Sequence, residues 1–406
     1  MKSGVIKSFF YLGLIVYFYH LCAHDPLLVV AIMVKDEESV IKATLAPYVE
    51  YDKNKEIGFL VFDTGPEKIS LTMQKAQELF NEYGISKAYI FQEPFVDFST
   101  SRNRALDLVE MTFPNACFVL MIDAEWYIND VHALLEFCKK EADANNFGPY
   151  FIRLIESRLD FYTPRLLRQT LHSRFKGVVH EALVVYASQV AYTRLSEAIF
   201  FRYSPSNRGQ EKSKARYIRD CQLLLQEFQK DPTNTHTTFY LAQTYEFLGD
   251  WQNAYYYYDL RCNQPGWEED NFLAAYRRAV AAENLYKQGT TLTWPHVHEL
   301  YLQAYAMRPT RIEPLIKIAH HYLDQNSMAL SFLYAKYALD IPYPASDTSF
   351  VEKSMYDFER YTLMGVAAWY VGSYDLGKWA IKKALEVQPD NQLLHNNLQF
   401  YLNHTL

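Results

Sequence analysis

Two acidic side chains stand two residues apart, directly after an apolar segment. Residues 118–122 are all apolar, and the sequence continues Asp123-Ala124-Glu125-Trp126. In an extended segment residues i and i+2 point the same way, so both carboxylates can bind one hard cation. Such a cation retains water and binds substrate phosphates. We predict Asp123 and Glu125 as its ligands; the alternative is a solvated acidic turn.

The segments before this pair alternate between strands and helices. Apolar runs predict strands over residues 27–34, 57–62, 88–91 and 116–122. Helices are predicted between them, over residues 71–83 and 98–111. This alternation predicts a largely parallel sheet with helices on both faces. Ligands of such sheets bind at the carboxyl ends of the strands. Asp36 and Asp63 also follow predicted strands, so we expect them to share an edge with Asp123.

The composition narrows the class of protein. The chain has 406 residues, of which 50% are hydrophobic and 21% charged, so it is globular and long enough for two or three domains. A net charge of -7 argues against a nucleic-acid partner. The five cysteines include no C-x-x-C and no dense framework, so neither a zinc site nor a disulfide scaffold is indicated.

The N-terminus has the pattern of a targeting segment. Lys2 and Lys7 precede an apolar run over residues 9–19, and Ala23 is a small residue near an imperfect cleavage site. This order is typical of a signal peptide, and an uncleaved membrane anchor is an alternative. Either places the chain at a membrane or in a secretory lumen. If the segment only packs on the first domain, the protein is cytoplasmic.

The C-terminal half contains a degenerate repeat. Ala304 and Ala338 are 34 residues apart, and Ala304 precedes Pro309 by the same offset as Ala384 precedes Pro389. This spacing resembles tetratricopeptide repeats, which are solenoids of paired helices. We expect about four irregular pairs from residue 236, a Pro-rich insertion over residues 341–350 and a last helix from residue 391.

Residues 27 to 185 resemble the family 2 glycosyltransferases. The corresponding segments are Ala31-Ile32-Met33-Val34-Lys35-Asp36-Glu37-Glu38, Asp63-Thr64-Gly65, Asp97 to Leu106, Asp123-Ala124-Glu125 and Arg174 to Glu181. The resemblance implies an α/β fold of the GT-A type, Rossmann-like, with a mostly parallel sheet. The implied organisation is a signal or anchor at 1–25, a transferase domain at 26–205, a linking helix at 206–235 and tetratricopeptide-like repeats at 236–406.

The resemblance also implies roles for individual residues. The residues that would bind the nucleotide sugar are Asp36, Glu38, Asp63, Arg102 and Asp123. The metal ligands would be Asp123, Glu125 and His180. Glu181 would be the general base, and His180 would contact the leaving phosphate. Alternatives remain open. Asp63 can cap a turn, and Arg102 can pair with Asp97. Glu156 and Asp160 are rival bases. Three arginines either line the acceptor or phosphate pocket or lie on the surface: Arg165, Arg168 and Arg174.

The implied activity is an inverting transfer of a sugar that depends on a divalent cation, Mn²⁺ or Mg²⁺. The donor would be a UDP-linked nucleotide sugar, and the acceptor a glycan, lipid or protein. The helical repeats would offer a surface to the acceptor or to a protein partner. The alternative is a non-catalytic scaffold, in which the repeats are fused to an inactive transferase-like domain. A nucleotidyltransferase would need a Gly-rich phosphate loop near the first strand, and residues 31–38 contain no glycine.

Overall fold

The computed structural model describes residues 25–52, 56–65, 69–144, 148–156, 159–185, 193–204 and 207–404. Strands and helices alternate at first, and helices dominate from residue 207 onward. The predicted signal or anchor at 1–25 lies outside the described residues, except for Asp25. Within the described ranges, no helix has the length and apolar character needed to cross a bilayer.

A nine-stranded mixed sheet forms the N-terminal part. Its order is β3-β2-β1-β4-β7-β6-β11-β5, with β10 beside β6, and β8 and β9 form a separate hairpin. The strands are β1 Leu28–Val34, β2 Ile57–Asp63, β3 Ala88–Gln92, β4 Phe118–Ile122, β5 Trp126–Ile128, β6 Tyr150–Glu156, β7 Leu159–Arg168, β8 Arg174–Lys176, β9 Ala182–Val184, β10 Thr193–Arg194 and β11 Phe200–Tyr203.

The first four strands confirm the predicted alternation. β1 pairs in parallel with both β2 and β4, and β3 pairs in parallel with β2. The other half differs from a mostly parallel sheet, because β7 lies antiparallel between β4 and β6. β7 is not predicted, since Pro164 and three charged residues interrupt its apolar pattern. The sheet is therefore mixed.

Helices cover both faces of the parallel strands, as predicted. These are α1 Ile41–Tyr51, α2 Leu71–Glu82, α3 Phe98–Thr112 and α4 Val131–Ala142. Alternate residues of β1 contribute to two separate cores: Val30 packs with residues of α1, α2 and α4, and Ala31 packs with residues of α3. Successive side chains of β1 point to opposite faces of the sheet, and the helices on the two faces bury nearly all of them.

The C-terminal part is an array of paired helices. These helices are α5 Asn207–Lys230, α6 Thr235–Phe247, α7 Trp251–Cys262, α8 Glu268–Lys287, α9 Trp294–Met307, α10 Glu313–Asp324, α11 Met328–Leu339, α12 Arg360–Tyr370, α13 Tyr374–Val387 and α14 Gln392–His404. From α6 to α13 they form four consecutive pairs, and each helix packs on the next. The predicted pairs, the insertion at 341–350 and the last helix are confirmed.

The insertion between α11 and α12 joins the repeats to the sheet. The Asp160 N–H of the β6–β7 hairpin donates to the Val351 carbonyl over 3.4 Å. Asp347, also in this segment, forms ion pairs with Arg308 and with the fully buried Arg311 of the repeats. The sheet therefore contacts a segment that buried charges hold against the helical array.

Candidate functional site

Three predicted acidic residues lie at one edge of the sheet. Asp63 is the last residue of β2 and is in register with Val34, the last residue of β1. Asp36 comes two residues after Val34, and Asp123 comes directly after β4, which is also parallel to β1. Because parallel strands end at the same edge, the structure brings Asp36, Asp63 and Asp123 to the place where sheets of this kind bind ligands.

The Asp63 carboxylate is fully buried and is held by the turn after β2. It accepts a 2.7 Å hydrogen bond from the Gly65 N–H and a second one from the Ser70 hydroxyl. Ser70 also caps α2 by accepting from the Met73 N–H over 3.1 Å. Asp63 therefore does cap the turn after β2, which was the alternative to a role in ligand binding. The hydrogen bonds fix the carboxylate at the edge, and its remaining lone pairs can accept from a ligand.

Two arginines lie between Asp123 and Glu181: Arg102, which is buried, and Arg165, whose side chain is 13% exposed. Arg102 Nη2 donates to Asp123 Oδ1 over 2.5 Å, and Arg102 Nε is in ion-pair contact with Glu181. Arg165 Nη2 lies 3.3 Å from Asp123 Oδ2, and Arg165 Nη1 lies 3.9 Å from Glu181 Oε1. We call Arg102, Asp123, Arg165 and Glu181 the arginine–acid cluster. It contains three residues of the predicted site and adds Arg165 from β7.

Arg102 is positioned by the first turns of α3. Asp97 caps this helix by accepting a 2.7 Å hydrogen bond from the Thr100 N–H and further bonds from the Ser99 and Thr100 hydroxyls. The alternative pairing of Arg102 with Asp97 is not found, because Asp97 serves the helix terminus and Arg102 contacts Asp123 and Glu181. The cap therefore aims Arg102 at the end of β4.

Asn103 fixes the segment that carries Glu181. Its side chain makes two hydrogen bonds with the backbone of Phe175, donating to the carbonyl over 2.9 Å and accepting from the N–H over 2.7 Å. The Phe98 N–H also donates to the Val178 carbonyl over 3.3 Å. These bonds hold residues 174–181 against α3. The sequence motif contains Asn103, but no pattern in it indicates this role.

The charges in the arginine–acid cluster depend on one another. The Arg102 and Glu181 side chains are 5% and 6% exposed. Burial lowers the pKa of Arg102, but the charges of Asp123 and Glu181 outweigh burial, so the pKa rises. Burial and the nearby Arg102 charge lower the pKa of Arg165. Burial raises the pKa of Asp123, but Arg102 and Arg165 outweigh it and lower the pKa. Asp123 is therefore ionised and acts as the counterion of Arg102 and Arg165.

The prediction that Asp123 and Glu125 point the same way assumes an extended backbone, and this assumption is wrong for Glu125. It lies in a turn with φ of 67°, and its N–H donates to the Thr44 hydroxyl over 3.2 Å. Asp36 and His180 are also left-handed, so half of the six described non-glycine residues with such a φ belong to the predicted site. A strained backbone costs about 1–3 kcal/mol per residue and concentrates at functional sites.

Two of the three predicted metal ligands, Asp123 and His180, contact other groups in this arrangement. Asp123 is bound to two arginines, Glu125 lies in the turn, and the His180 ring stacks on Tyr240 of α6 with centroids 4.3 Å apart. Among the described residues, no group of three or more His, Cys, Asp or Glu side chains is placed to hold a metal ion. The residues present do not fit a cation held by Asp123, Glu125 and His180 together, so we assign no chemical step to a metal.

Most of the rival residues have structural roles. Asp160 forms a two-point ion pair with Arg153. Arg168 binds backbone carbonyls at the end of α4, and Arg174 pairs with acidic residues of α3. Glu156, at the end of β6, has a pKa that burial raises and that the charge of Arg216 lowers by less. Of the two alternatives to Glu181 as general base, Asp160 is paired with Arg153, so Glu156 remains the candidate.

Replacing Asn103 by Ala should loosen residues 174–181, because it removes both hydrogen bonds to Phe175. The measurement is backbone hydrogen exchange of this segment by mass spectrometry. Asn129→Ala is the matched control, since Asn129, which follows β5, makes two comparable bonds, to Ala198 and Phe200. Exchange should accelerate at 174–181 only in Asn103→Ala. Unchanged exchange there would contradict the role assigned to Asn103.

His180 should make stability fall on acidification. Burial, with the charges of His236 and Arg216, lowers the pKa of His180 to about 3 from 6.5. Between these values the unfolded chain binds a proton that the folded chain does not, so stability decreases as the pH falls, by at most about 1.4 kcal/mol per pH unit. His180→Phe retains a ring for Tyr240 but cannot titrate.

The melting temperature of His180→Phe should therefore depend less on pH between about 6.5 and 4 than that of the wild type. His172→Phe is the control, because His172 has a similar left-handed φ of 46° and a side chain that is 70% exposed. Its contact with Glu110 at 3.3 Å is an ion pair only when His172 is protonated, so losing it cannot make stability depend less on pH. Parallel curves for His180→Phe and the wild type would show that His180 is not held neutral by its surroundings.

Comparisons with known proteins find likenesses among solved structures only. No protein-family description and no curated protein matches this chain. MamA is 16% identical, with a TM-score of 0.34, over 46% of this chain and 96% of its own. A thermophilic tetratricopeptide-repeat protein of Thermus thermophilus is 17% identical, with a TM-score of 0.32, over 48% and 94%. Part of a repeat protein of Cytophaga hutchinsonii is 14% identical, with a TM-score of 0.36, over 47% and 66%.

Proposed function

We propose that this chain is a glycosyltransferase that uses a nucleotide sugar, UDP-linked, as its donor. The observation that carries the proposal is the single edge at which Asp36, Asp63 and Asp123 end three parallel strands, with two arginines beside Asp123. Carboxylates only accept hydrogen bonds, which suits uracil N–H and ribose hydroxyl groups. Guanidinium groups suit phosphates. A nucleoside diphosphate presents both kinds of group.

The proposed roles follow the positions along this edge. Asp63, with Asp36 or Glu38, would bind the base and the ribose. Arg102 would bind the diphosphate, and Asp123 would keep its guanidinium in position. Desolvation and the charges of His236 and Arg216 lower the pKa of His180, and its ring stacks on Tyr240. We therefore propose that His180 positions the following residue, Glu181, rather than binding an anion.

The proposed step is a direct displacement with inversion. The acceptor oxygen forms a bond to the anomeric carbon while the bond from that carbon to the phosphate oxygen breaks. The bonding electron pair leaves with the nucleoside diphosphate, and the acceptor proton passes to a carboxylate. Glu181 is our choice for this general base, which typically contributes about 10²–10⁴-fold to the rate. Glu156 is the second candidate.

A second candidate function is a repeat scaffold that binds a protein partner. Its specific support is α11, where Leu330, Leu333 and Tyr337 are 42%, 58% and 54% exposed at helical spacing. Side chains three and four residues apart share one face of a helix, so these three form a continuous apolar stripe. Stripes of this kind bind helical segments of other proteins. The scaffold hypothesis needs no ligand at the sheet edge.

Calorimetry with UDP and a panel of nucleotide sugars, with and without Mn²⁺, tests the transferase proposal. Asp63→Asn should weaken binding by about tenfold or more, because it removes a charged acceptor. Asp130→Asn is the control: Asp130 caps α4 through the Ala133 N–H at 2.8 Å, and Asn caps equally well. If the folded wild type binds no nucleotide or nucleotide sugar, the proposal fails and the scaffold hypothesis stands.

A further inference from the structure

We infer that Arg102 and Arg165 together form the diphosphate site, and that Glu181 is an internal counterion which the incoming phosphate replaces. The name of the ligand rests on the proposed function, whereas the exchange rests on the geometry of the arginine–acid cluster. Phosphate binding by this pair would need no metal held by protein side chains.

The first observation is a shortage of acceptors around the two arginines. Arg102 Nη1 and Arg165 Nη1 are buried, and neither has a hydrogen-bond acceptor within the described part of the chain. The 3.9 Å between Arg165 Nη1 and Glu181 is an ion-pair distance, too long for a hydrogen bond. A buried charged donor without an acceptor is costly. Phosphate oxygens would supply the missing acceptors in a geometry that guanidinium groups match.

The second observation distinguishes the two acids. Asp123 uses a different oxygen for each arginine, Oδ1 for Arg102 and Oδ2 for Arg165. Glu181 instead presents one oxygen, Oε1, to both. Asp123 also follows the central strand β4, whereas Glu181 follows the short strand β8 and the left-handed Gly177. Glu181 therefore makes one close contact with the arginines where Asp123 makes two, so fewer contacts are lost when Glu181 leaves, even though its side chain is 6% exposed and that of Asp123 is 28% exposed.

Charge balance favours exchange over simple addition. The two arginines and two carboxylates of the cluster neutralise one another, so a diphosphate added to the closed cluster would bring uncompensated negative charge into a buried site. Departure of Glu181 removes one of the negative charges and so reduces this excess. Its carboxylate would then be free of both guanidinium groups and able to accept the acceptor proton. Donor binding would in this way prepare the proposed base.

Titration calorimetry of the full chain with inorganic pyrophosphate in EDTA tests the exchange. The wild type should bind without added metal. Glu181→Gln should tighten binding by about tenfold, because it removes a competing anion. Arg165→Lys should weaken binding by about tenfold, because Lys keeps the charge but loses the fork of donors. Arg174→Lys, at an arginine paired with acids of α3, should leave binding unchanged.

The outcomes separate this inference from the proposed function. Pyrophosphate binding that requires Mn²⁺, or that is unchanged or weakened in Glu181→Gln, would overturn the exchange even if a nucleotide sugar binds. If pyrophosphate behaves as expected in the folded variants but no nucleotide sugar binds, the exchange stands and the transferase proposal fails. Thermal melting of each variant identifies any that do not fold, and Glu181→Gln, which removes no cation, then decides the result.

Discussion

Two guanidinium groups buried at the end of a central strand constrain the whole candidate site. A charge can be buried only if it is paired, and removing one partner of a buried pair typically costs about 3–5 kcal/mol. Arg102 and Arg165 are paired with Asp123 and Glu181, so neither acid can be regarded as an independent metal ligand or an independent base. Any ligand that enters must alter these pairs.

Four separate parts of the chain must meet to build the arginine–acid cluster. α3 supplies Arg102, the end of β4 supplies Asp123, β7 supplies Arg165, and the segment after β8 supplies Glu181. The antiparallel insertion of β7 beside β4 brings Arg165 to Asp123, and the bonds from α3 to residues 175 and 178 bring in Glu181. The mixed half of the sheet is therefore what completes the site.

The parallel half and the helical pairs can be predicted from the sequence because their signals are local. Each acid at the edge lies within two residues of the end of an apolar strand, and small residues with a following proline recur along the repeats. Arg165 is only one of three candidate pocket arginines in the sequence, and its contact with Asp123 cannot be predicted locally, because β7 contains Pro164 and its place depends on distant pairing. Glu125 is mispredicted as extended, since the turn from β4 into β5 requires a left-handed residue that no propensity indicates.

The most direct measurement is a crystal structure of the full chain with UDP bound in metal-free buffer. We predict that the phosphate oxygens lie within hydrogen-bond distance of Arg102 and Arg165, that Glu181 has left Arg102, and that the uridine lies near Asp63. UDP bound elsewhere would contradict the account. So would phosphates held away from the arginines while Glu181 keeps its contact with Arg102.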